Sequence, residues 1–416
     1  MPAPDLDRRA GASRRAGASR RALLVENIHP GAAELLRHDG YELDTVEGAL
    51  GESELAERLA DIDVLGIRSR THLTEALLEK SDRLMAVGAF CIGTNQIDLA
   101  AAARRGVAVF NAPFSNTRSV VELALAEVIA LTRRLTEKDR AMHVGVWDKS
   151  ADGSHEVRGR RLGIVGYGNI GTQLSVLAEN LGMTVYFYDS ADRLALGNAR
   201  RCSSLEELLS EVDVVTLHVD GRPDNRGLFG EAEFALMRWG SLFLNLSRGF
   251  VLDHGALARH IQSGHLAGAA IDVFATEPAS RAELFESELR GLPNVILTPH
   301  IGGSTEEAQV DIGQFVANKL ISYARTGGTS LSVNMPNLEM PVRAGAHCLV
   351  HIHRNTPGVL AAINAIFAEH QVNVEAQYLG TRGEVGYVIT DISSDYTDDM
   401  LRRLTDMDET LRLRLL

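Results

Sequence analysis

Three polar side chains stand just beyond predicted strands in the second half of the chain. Arg248 follows the strand Ser241–Leu244, His300 follows the strand Val295–Leu297, and Glu277 lies in the loop after another predicted strand. In a doubly wound sheet such positions share one rim, where these sheets bind ligands. Histidine acts as a general base near neutral pH, a carboxylate orients its ring, and a guanidinium binds a carboxylate through two hydrogen bonds. Any one of them alone would be interpreted as a surface ion pair or a cap, whereas the three together predict a site that oxidises an alcohol.

A glycine-rich turn supplies the second part of that chemistry. The run Gly166–Gly171 reads GYGNIG and matches G-x-G-x-x-G; it follows the apolar strand Arg161–Val165 and opens a segment with helical spacing. The next predicted strand ends at Asp189. Such glycines let the backbone approach a pyrophosphate at a helix N-terminus, and the acidic residue hydrogen-bonds the adenosine ribose and repels a 2′-phosphate. The pattern favours NAD over NADP, and the alternative is a tight turn with a surface aspartate.

The elements that must position these groups alternate along the chain. Strands are predicted at Ala22–Val25, Asp63–Ile67, Met85–Phe90 and Val107–Phe110 with helical segments between them, and six more strands follow. Alternating strands and helices form parallel, doubly wound sheets, and six strands are the number in a full dinucleotide-binding domain. We therefore predict an α/β fold with two such domains, joined by a long helix at Ser119–Arg134.

The last 70 or so residues are predicted to form a separate module. Its strands and helices follow the order βαββαβ between His347 and Leu416, after a linker that begins at Pro336. This order is the ferredoxin-like plan. His351 and His353 share one face of its first strand, but because no third ligand stands at a suitable spacing, we expect no metal site.

Composition limits the class of protein. The chain has 416 residues, 45% of them hydrophobic and 23% charged, with a formal net charge of −13. Its length and apolar fraction exclude a disordered or fibrous protein, and the acidic balance argues against a nucleic-acid-binding enzyme. No stretch reaches roughly 18 apolar residues, so no membrane span is expected. Three distant cysteines, Cys91, Cys202 and Cys348, are typical of a reduced cytoplasmic protein without a disulfide framework.

An arginine-rich repeat fills the first 21 residues. Six arginines against two aspartates give this segment a net charge of +4, so the remainder of the chain carries −17. Because such a segment has nothing to bury, we predict a disordered tail at residues 1–21. A functionless extension is the favoured interpretation, and a transit peptide is the alternative.

The chain resembles the D-isomer-specific 2-hydroxyacid dehydrogenases from about residue 22 to its C-terminus. The motifs that carry the resemblance are Arg68–Thr71, Ile92–Asn95, Asn111–Pro113, Ser115–Thr117, the GYGNIG turn and the segments around Arg248, Glu277 and His300. Two positions depart from the family pattern. Leu246 stands where the family usually has alanine, and Asp220 stands where proline is usual.

The resemblance implies NAD-dependent oxidation of 3-phospho-D-glycerate to 3-phosphohydroxypyruvate, the first committed step towards L-serine. It also implies a flavodoxin-like substrate-binding domain at 22–115 and 304–344, a Rossmann NAD-binding domain at 116–303, and a ferredoxin-like regulatory domain at 345–416. Catalysis is then expected in the cleft between the first two, with Arg248, Glu277 and His300 as the catalytic residues.

The other site residues follow from the same resemblance. The expected NAD-binding residues are Gly166, Gly168, Asn169, Ile170, Gly171, Asp189, His218, Leu246, Ser247, Arg248, Asp272, His300, Gly302 and Gly303, of which Asp272 is expected to meet the nicotinamide carboxamide. The expected substrate-binding residues are Arg68, Ser69, Arg70, Gly93, Asn116 and Lys149. For Arg70 the alternative is a solvated surface arginine.

The C-terminal module resembles an ACT domain, a small domain that binds amino acids. The resemblance implies feedback inhibition by L-serine at His353, Asn355 and Asn373, and the alternative is a dimerisation module without a ligand. Because both kinds of module tend to self-associate, we expect a homo-oligomer, with a tetramer favoured. We expect it in the cytoplasm, with no nucleic-acid or membrane partner.

Two other functions stay open at this point. Another D-2-hydroxyacid dehydrogenase, such as a glyoxylate or hydroxypyruvate reductase, would usually lack the ACT domain. A non-catalytic NAD-sensing scaffold would keep the fold, and turnover distinguishes it from an enzyme. A formate dehydrogenase is disfavoured because Glu277 stands where that branch carries an amide.

Overall fold

The computed structural model describes residues 19–278, 283–339, 341, 347–393 and 396–416, which belong to two compact units. The first unit combines Met1–Pro113 with Gln309–Leu416, and the second unit is Phe114–Ala308. The second unit differs by only a few residues from the segment 116–303 named above. Most of the predicted tail, residues 1–18, lies outside the described residues. Over the described ranges, no helix combines the length and the apolar character that crossing a bilayer requires.

Five parallel strands form the first sheet, in the order β2-β1-β3-β4-β5. The strands are β1 (Arg20–Leu24), β2 (Tyr41–Thr45), β3 (Val64–Ile67), β4 (Ala86–Ala89) and β5 (Ala108–Asn111), and the helices are α1 (Pro30–His38), α2 (Glu52–Leu59), α3 (Glu75–Glu79) and α4 (Leu99–Arg104). The strands β3, β4 and β5 are buried along their whole length, because a parallel sheet is covered on both faces. The strand order confirms the flavodoxin-like fold predicted from the sequence.

Two details of this sheet differ from the prediction. The sequence predicts no strand at β2, an edge strand whose polar residues leave only Tyr41 buried. The disordered tail predicted at residues 1–21 also extends too far along the chain, because Arg20 and Arg21 belong to β1 and pair with Tyr41 and Glu42. The Arg20 guanidinium donates to the carbonyl oxygen of Ala324 at 3.0 Å and lies over the Tyr41 ring, so it is part of the packed fold.

Seven parallel strands form the sheet of the second unit, in the order β12-β11-β10-β9-β6-β7-β8. The strands are β6 (Arg161–Val165), β7 (Thr184–Tyr188), β8 (Arg200–Arg201), β9 (Val214–Leu217), β10 (Ser241–Asn245), β11 (Leu266–Ile271) and β12 (Val295–Leu297). Numbered within the unit, this is the dinucleotide-binding order 3-2-1-4-5-6 with a seventh strand added. The six predicted strands are all present, and the additional strand β8 is too short to give a pattern.

Helices cover both faces of this second sheet. They are α5 (Thr117–Thr132), α7 (Asn169–Asn180), α8 (Leu205–Glu211), α9 (Glu231–Leu236) and α10 (His254–Gln262). The helix α6 (Leu135–His143) follows α5 and buries none of its residues. The buried face of α5 includes Val121, Ala124 and Val128, which share one apolar cluster with the sheet. The single helix predicted at Ser119–Arg134 is therefore α5. The backbone of Arg134 adopts a left-handed conformation, which separates α5 from α6.

The chain then returns to the first unit through α11 (Glu306–Thr326) and ends in a four-stranded antiparallel sheet. The remaining elements are β13 (His347–Arg354), α12 (Val359–Glu369), β14 (Val374–Arg382), β15 (Val385–Ile392), α13 (Asp398–Thr405) and β16 (Thr410–Leu415). The sheet order β14-β15-β13-β16 confirms the predicted ferredoxin-like plan.

This C-terminal sheet is not a separate compact unit. One of its faces packs on α12 and α13, and the other face contributes Val350 and Ile352 to the apolar cluster of the first sheet and α11. Arg412 on β16 is buried and donates to the carbonyl oxygens of Leu84 at 2.7 Å and Asp82 at 3.2 Å. The sequence prediction of a separate module misses this contact, because its partners lie more than 300 residues apart in the chain.

Candidate active site

The glycine-rich turn joins β6 to α7 and leaves open space beside the N-terminus of α7. Gly166 has a φ of 92°, and a Cβ there would lie 2.6 Å from the carbonyl oxygen of His218. A Cβ on Gly171 would overlap the Gly166 carbonyl group. At Gly168, the N-cap of α7, a Cβ would meet no protein atom within 4 Å. The turn is closed towards the protein and open at Gly168, so these residues fit the pyrophosphate of a dinucleotide.

Asp189 follows β7 and is fixed against the same turn. Its Oδ2 accepts a hydrogen bond from the Tyr167 backbone N–H at 2.8 Å, and its Oδ1 accepts one from the Ala191 backbone N–H at 2.8 Å. The end of the second strand is where an acidic residue binds the adenosine ribose in this fold. Asp189 therefore has the place and the fixed orientation that ribose recognition requires.

His300, Glu277 and Arg248 lie beyond the ends of β12, β11 and β10. The Nδ1 atom of His300 is 3.0 Å from Oε2 of Glu277 and 3.1 Å from Oε1. The Phe274 backbone N–H donates to Glu277 Oε1 at 3.3 Å and steadies the carboxylate. Because a carboxylate accepts hydrogen bonds, the Nδ1 of a neutral His300 carries the proton and Nε2 keeps its lone pair. That tautomer is the one a general base needs.

Electrostatics couple the three side chains. The hydrogen bond with Glu277 raises the pKa of His300, burial opposes this shift, and the positive charge of Arg248 lowers the pKa. Burial tends to raise the pKa of Glu277, but the hydrogen bond and charge of His300 outweigh it, so the carboxyl pKa lies below its usual value. The positive charge of Arg248 acts on both groups and lowers the pKa of each.

Asp272 holds the turn that carries His300. Its buried carboxylate accepts hydrogen bonds from the Thr298 hydroxyl at 2.6 Å, the Ile301 N–H at 2.8 Å and the Gly302 N–H at 2.9 Å. The His300 N–H donates to the Asp272 carbonyl oxygen at 2.8 Å. His300 has a φ of 56°, a conformation that costs energy for a residue with a side chain and that these bonds stabilise. The contact of Asp272 with a nicotinamide stays a prediction.

The other predicted NAD-binding residues differ in exposure. Leu246 and Ser247 are buried, Ile170 is half-buried and Asn169, in the first turn of α7, is exposed. Burial lowers the pKa of His218 to about 3, so its ring is neutral at physiological pH. Of these residues, His218 lies against the turn, since its carbonyl group is what a Cβ on Gly166 would meet.

One predicted substrate residue of the second unit reaches the catalytic turn. A Cβ on Gly303 would overlap the side-chain amide of Asn116, so Asn116 lies against the turn that carries His300. Lys149 is exposed, and its ammonium nitrogen lies 5.8 Å from the centre of the Trp147 ring.

In the first unit, Glu26 fixes the loop that contains Arg68 and Arg70. The Glu26 carboxylate is only 5% exposed and accepts hydrogen bonds from the backbone N–H groups of Arg68 at 3.1 Å, Arg70 at 3.0 Å and Thr71 at 2.7 Å. Sequence reasoning missed Glu26. Its signal was an acidic residue directly after the first strand, on the rim where this sheet type binds ligands.

A second side chain connects this loop to Gly93. The Gln96 amide nitrogen donates to the carbonyl oxygens of Arg68 at 2.6 Å and Gly93 at 3.3 Å. Ser69 is exposed between the two arginines. The predicted substrate residues of the first unit thus lie on two connected loops.

The three residues predicted for serine do not meet within one chain. Asn355 follows β13 and donates to the Gly383 carbonyl oxygen at 3.1 Å, whereas Asn373 precedes β14 at the opposite end of the sheet. Eight residues of extended strand separate these ends, roughly 25 Å. His353 is buried with its ring against Gly386. Antiparallel pairing thus places Asn355 and Asn373 at opposite ends of the sheet, and serine binding at the three residues stays a prediction.

Metal binding has no candidate cluster here. Within the described part of the chain, no group of three or more histidine, cysteine, aspartate or glutamate side chains is placed to hold a metal ion.

Comparison with known proteins gives consistent relatives. Residues 125–302 match the NAD-binding domain of the D-isomer specific 2-hydroxyacid dehydrogenases, and residues 349–412 match an ACT domain like that of the AHAS small subunit. A D-3-phosphoglycerate dehydrogenase from Haemophilus influenzae is 51% identical over 95% of this chain and 96% of its own length. One from Escherichia coli K12 is 52% identical over 95% of this chain and 97% of its own length.

Solved structures share the fold of about three quarters of the chain. A D-lactate dehydrogenase from Aquifex aeolicus, crystallised with NAD and lactic acid, has a TM-score of 0.68 and 27% identity and covers 76% of this chain and 100% of its own. A glyoxylate reductase from Paecilomyes thermophila has a TM-score of 0.68 and 26% identity, with 76% and 98% coverage.

Proposed function

Because this chain belongs to the D-isomer specific 2-hydroxyacid dehydrogenase family and carries an ACT domain, we propose that it oxidises 3-phospho-D-glycerate with NAD. The product is 3-phosphohydroxypyruvate, and the reaction is the first step of L-serine biosynthesis. The observation that carries the proposal is the pair formed by His300 and Glu277, with the charge of Arg248 acting on both. This pair has the chemistry of a base that removes a hydroxyl proton.

We assign the two binding functions to different units of the chain. We assign NAD binding to the second unit, whose turn at Gly168 is open to a pyrophosphate. We assign substrate recognition to the first sheet and its loops. When bound, NAD supplies the acceptor for the C2 hydride of the substrate.

His300 takes the proton of the C2 hydroxyl group through Nε2. Glu277 keeps the proton on Nδ1 and stabilises the imidazolium that forms, since its carboxylate lies 3.0 Å away. Arg248 binds the substrate carboxylate and polarises the C2 oxygen, because a guanidinium offers two parallel N–H donors. In the reverse direction the imidazolium returns the proton to the C2 oxygen.

The phosphate group is assigned to Arg68 and Arg70, with Asn116 and Lys149 as further contacts. Ser69 is a further substrate contact, and backbone amides around Gly93 are assigned to the substrate carboxylate. What supports this assignment is the buried Glu26 carboxylate, which holds the backbone of the arginine loop at three N–H groups. Two guanidinium groups on a fixed backbone are suited to a doubly charged phosphate.

The ACT domain indicates a small-molecule effector, which we propose to be L-serine. Because Asn355 and Asn373 lie at opposite ends of one sheet, a site containing both requires two copies of the domain. Exposed apolar residues on and after α6, among them Leu135, Val144 and Trp147, also favour association, because such residues are unfavourable in water. We therefore propose a homo-oligomer, a tetramer, acting in the cytoplasm.

The test is NADH formation from 3-phosphoglycerate, glycerate and D-lactate, each with and without L-serine. We expect turnover of the phosphorylated acid alone, reduced by serine. Turnover of glycerate would indicate a glyoxylate or hydroxypyruvate reductase instead. Absence of turnover with intact NAD binding would identify a non-catalytic scaffold.

A further inference from the structure

Two histidines of the second unit face each other through their Nδ1 atoms. His260 lies near the end of α10, and His265 directly precedes β11. Their Nδ1 atoms are 3.0 Å apart, and the two ring centroids are 5.0 Å apart with the ring planes tilted by 56°. His260 is only 8% exposed, and His265 is half-buried. Because an imidazole nitrogen binds in the plane of its ring, the two Nδ1 atoms point at one shared position.

The outer nitrogen of each ring is held by an acceptor. The Nε2 of His260 is 2.9 Å from Oε1 of Glu231 on α9, and the Nε2 of His265 is 2.8 Å from the carbonyl oxygen of Met237. Arg259 donates to the other oxygen of Glu231 at 2.8 Å and keeps this carboxylate in place. Carboxylate and carbonyl oxygens only accept hydrogen bonds, so both Nε2 atoms carry protons. Each imidazole in its neutral form then has its lone pair on Nδ1.

Two convergent lone pairs of this kind suit a divalent transition metal. Histidines that bind metals almost always donate their other ring N–H to a carboxylate or a carbonyl oxygen, and His260 and His265 each do so. Two nitrogens bound to Zn²⁺ in tetrahedral geometry at roughly 2.0 to 2.1 Å lie about 3.3 Å apart, so the Nδ1 atoms need to separate by only about 0.3 Å. The alternative occupant is a single proton, which a metal ion replaces and releases to water.

The pair lies at the opposite end of the sheet from the catalytic residues. His265 precedes β11 and Asp272 follows it, so the strand separates the pair from the turn that carries His300 by roughly 20 Å. Trp239 is 75% exposed and stacks on the His265 ring at 5.4 Å, and residues 262–264 are exposed. Solvent therefore approaches the pair from the side of His265.

We propose that His260 and His265 form a binding site for a divalent transition metal such as Zn²⁺, with water completing the coordination. The site is smaller than a three-residue cluster, because the chain supplies two ligands, which Glu231 and the Met237 carbonyl group orient. Imidazole nitrogens suit Zn²⁺, Cu²⁺ and Ni²⁺, whereas Mg²⁺ and Ca²⁺ prefer oxygen ligands. The ion ties α10 to the start of β11, which is a structural role that does not depend on the proposed function.

Calorimetric titration of the full chain with Zn²⁺ alone tests the site. We expect the wild type to bind one ion per chain through this pair, and H260Q and H265Q to bind it at least tenfold more weakly. The matched control is H143Q, which removes an exposed histidine of the same unit and should bind Zn²⁺ as the wild type does. Zn²⁺ at about ten times its dissociation constant should also raise the melting temperature by roughly 3 °C in the wild type, and not in H260Q.

Trp239 provides a second readout that leaves both histidines in place. The chain has two tryptophans, so W147F leaves Trp239 as the single indole emitter. Bound Cu²⁺ quenches indole emission at short range, and the Trp239 ring stacks on His265. We expect stoichiometric Cu²⁺ to quench most of the emission of W147F and to have little effect once H265Q is added to that variant.

The outcomes decide the proposal in either direction. Zn²⁺ binding that persists unchanged in both H260Q and H265Q would place the ion elsewhere and overturn the inference, as would a wild type that binds no Zn²⁺. If a histidine variant does not fold, the emission of W147F decides: quenching by stoichiometric Cu²⁺ supports the site, and unchanged emission overturns it. NADH formation is measured separately, so failure of this inference leaves the proposed dehydrogenase function intact.

Discussion

The Nδ1 atom of His300 lies 3.0 Å from Oε2 of Glu277, and the imidazole takes up its proton more readily because of that carboxylate. The hydrogen bond raises the pKa of His300, and the same contact keeps the pKa of Glu277 below its usual value. Burial opposes the charged form of each group, and the mutual contact outweighs it. Glu277 therefore sets the basicity of His300.

Replacing Glu277 by glutamine should shift the pH dependence of the reaction. Alcohol oxidation needs neutral His300, so the rate rises as pH increases through the raised pKa of that residue. In E277Q the raising contact is weakened, and we expect the acidic limb of the kcat/KM profile to move to lower pH while its plateau falls at least tenfold. Steady-state rates between pH 5.5 and 9 measure both effects. An unchanged limb would show that Glu277 does not set the basicity of His300.

The hydrogen bonds of Asp272 should matter for kcat through the position of His300. D272N keeps the shape but loses the charge that holds two backbone N–H groups and the Thr298 hydroxyl. Because a displacement of about 1 Å at a reacting group costs roughly 100-fold in rate, we expect a loss of that order in kcat. T298V removes one of the three bonds and should lose roughly tenfold or less. An equal loss of kcat in D272N and T298V would show that the bond from Thr298 alone holds the turn, and would contradict the prediction.

Glu127 on α5 should make the folded protein less stable as the pH rises. It is buried, neither carboxyl oxygen has a hydrogen-bond partner among the described residues, and burial together with the charge of Asp272 raises its pKa to about 8. The unfolded chain loses this proton near the ordinary value of 4.5, so between these values the folded state binds more protons and stability falls with rising pH.

E127Q removes that penalty. We expect it to be more stable than the wild type by an amount that grows from about 1 kcal/mol at pH 5 to at most about 5 kcal/mol at pH 8. Denaturant unfolding at pH 5, 6.5 and 8 measures the difference. E122Q, at an exposed position of the same helix, is the control and should show no such trend. A constant offset at all three pH values would mean that Glu127 is ionised in the folded protein.

Gly168 should be required for nucleotide binding and not for folding. A Cβ there meets no protein atom within 4 Å and enters the space left for the pyrophosphate, whereas a Cβ on Gly171 overlaps the Gly166 carbonyl group. We expect G168A to keep the wild-type melting temperature and to bind NAD roughly 100-fold more weakly. G171A should lower the melting temperature as well. Normal NAD affinity in G168A would move the pyrophosphate away from this turn.

The features that sequence predicted well are those with local periodicity. The parallel strands, the glycine-rich turn and the βαββαβ order each leave a pattern within about 15 residues, and the structure confirms them. The edge strand β2 was missed because its alternating polar residues bury only Tyr41. The strand β8 was missed because two residues carry no period at all.

Most of the features that could not be predicted from the sequence are contacts between residues far apart in the chain. Glu26 binds the backbone of a loop more than 40 residues away, and Asp272 binds a turn nearly 30 residues away. All three donors to Glu26 and two of the three donors to Asp272 are backbone N–H groups, so few side chains mark these contacts in the sequence. The packing of the C-terminal sheet on the first sheet joins residues over 300 positions apart, and no local pattern encodes it.

Removing the Arg412 side chain, which connects the ACT sheet to the first sheet, should lower the free energy of unfolding. Its guanidinium is buried and donates to the backbone carbonyl oxygens of Leu84 at 2.7 Å and Asp82 at 3.2 Å, and burial lowers its pKa to about 10, so it stays charged at neutral pH. Hydrogen bonds made by a charged group contribute about 1.5 to 3 kcal/mol each, so we expect R412A to lose about 3 kcal/mol of unfolding free energy.

The loss should be local to that contact. Because the bonds join two parts of the first unit, R412A should expose the segment near Pro336 to limited proteolysis, while the NAD affinity of the second unit is unchanged. R402A, which removes an exposed arginine of α13, is the matched control and should change neither stability nor cleavage. If R412A is as stable and as resistant as R402A, the ACT sheet is held by its apolar contacts, Val350 and Ile352 among them, and the buried charge contributes nothing net.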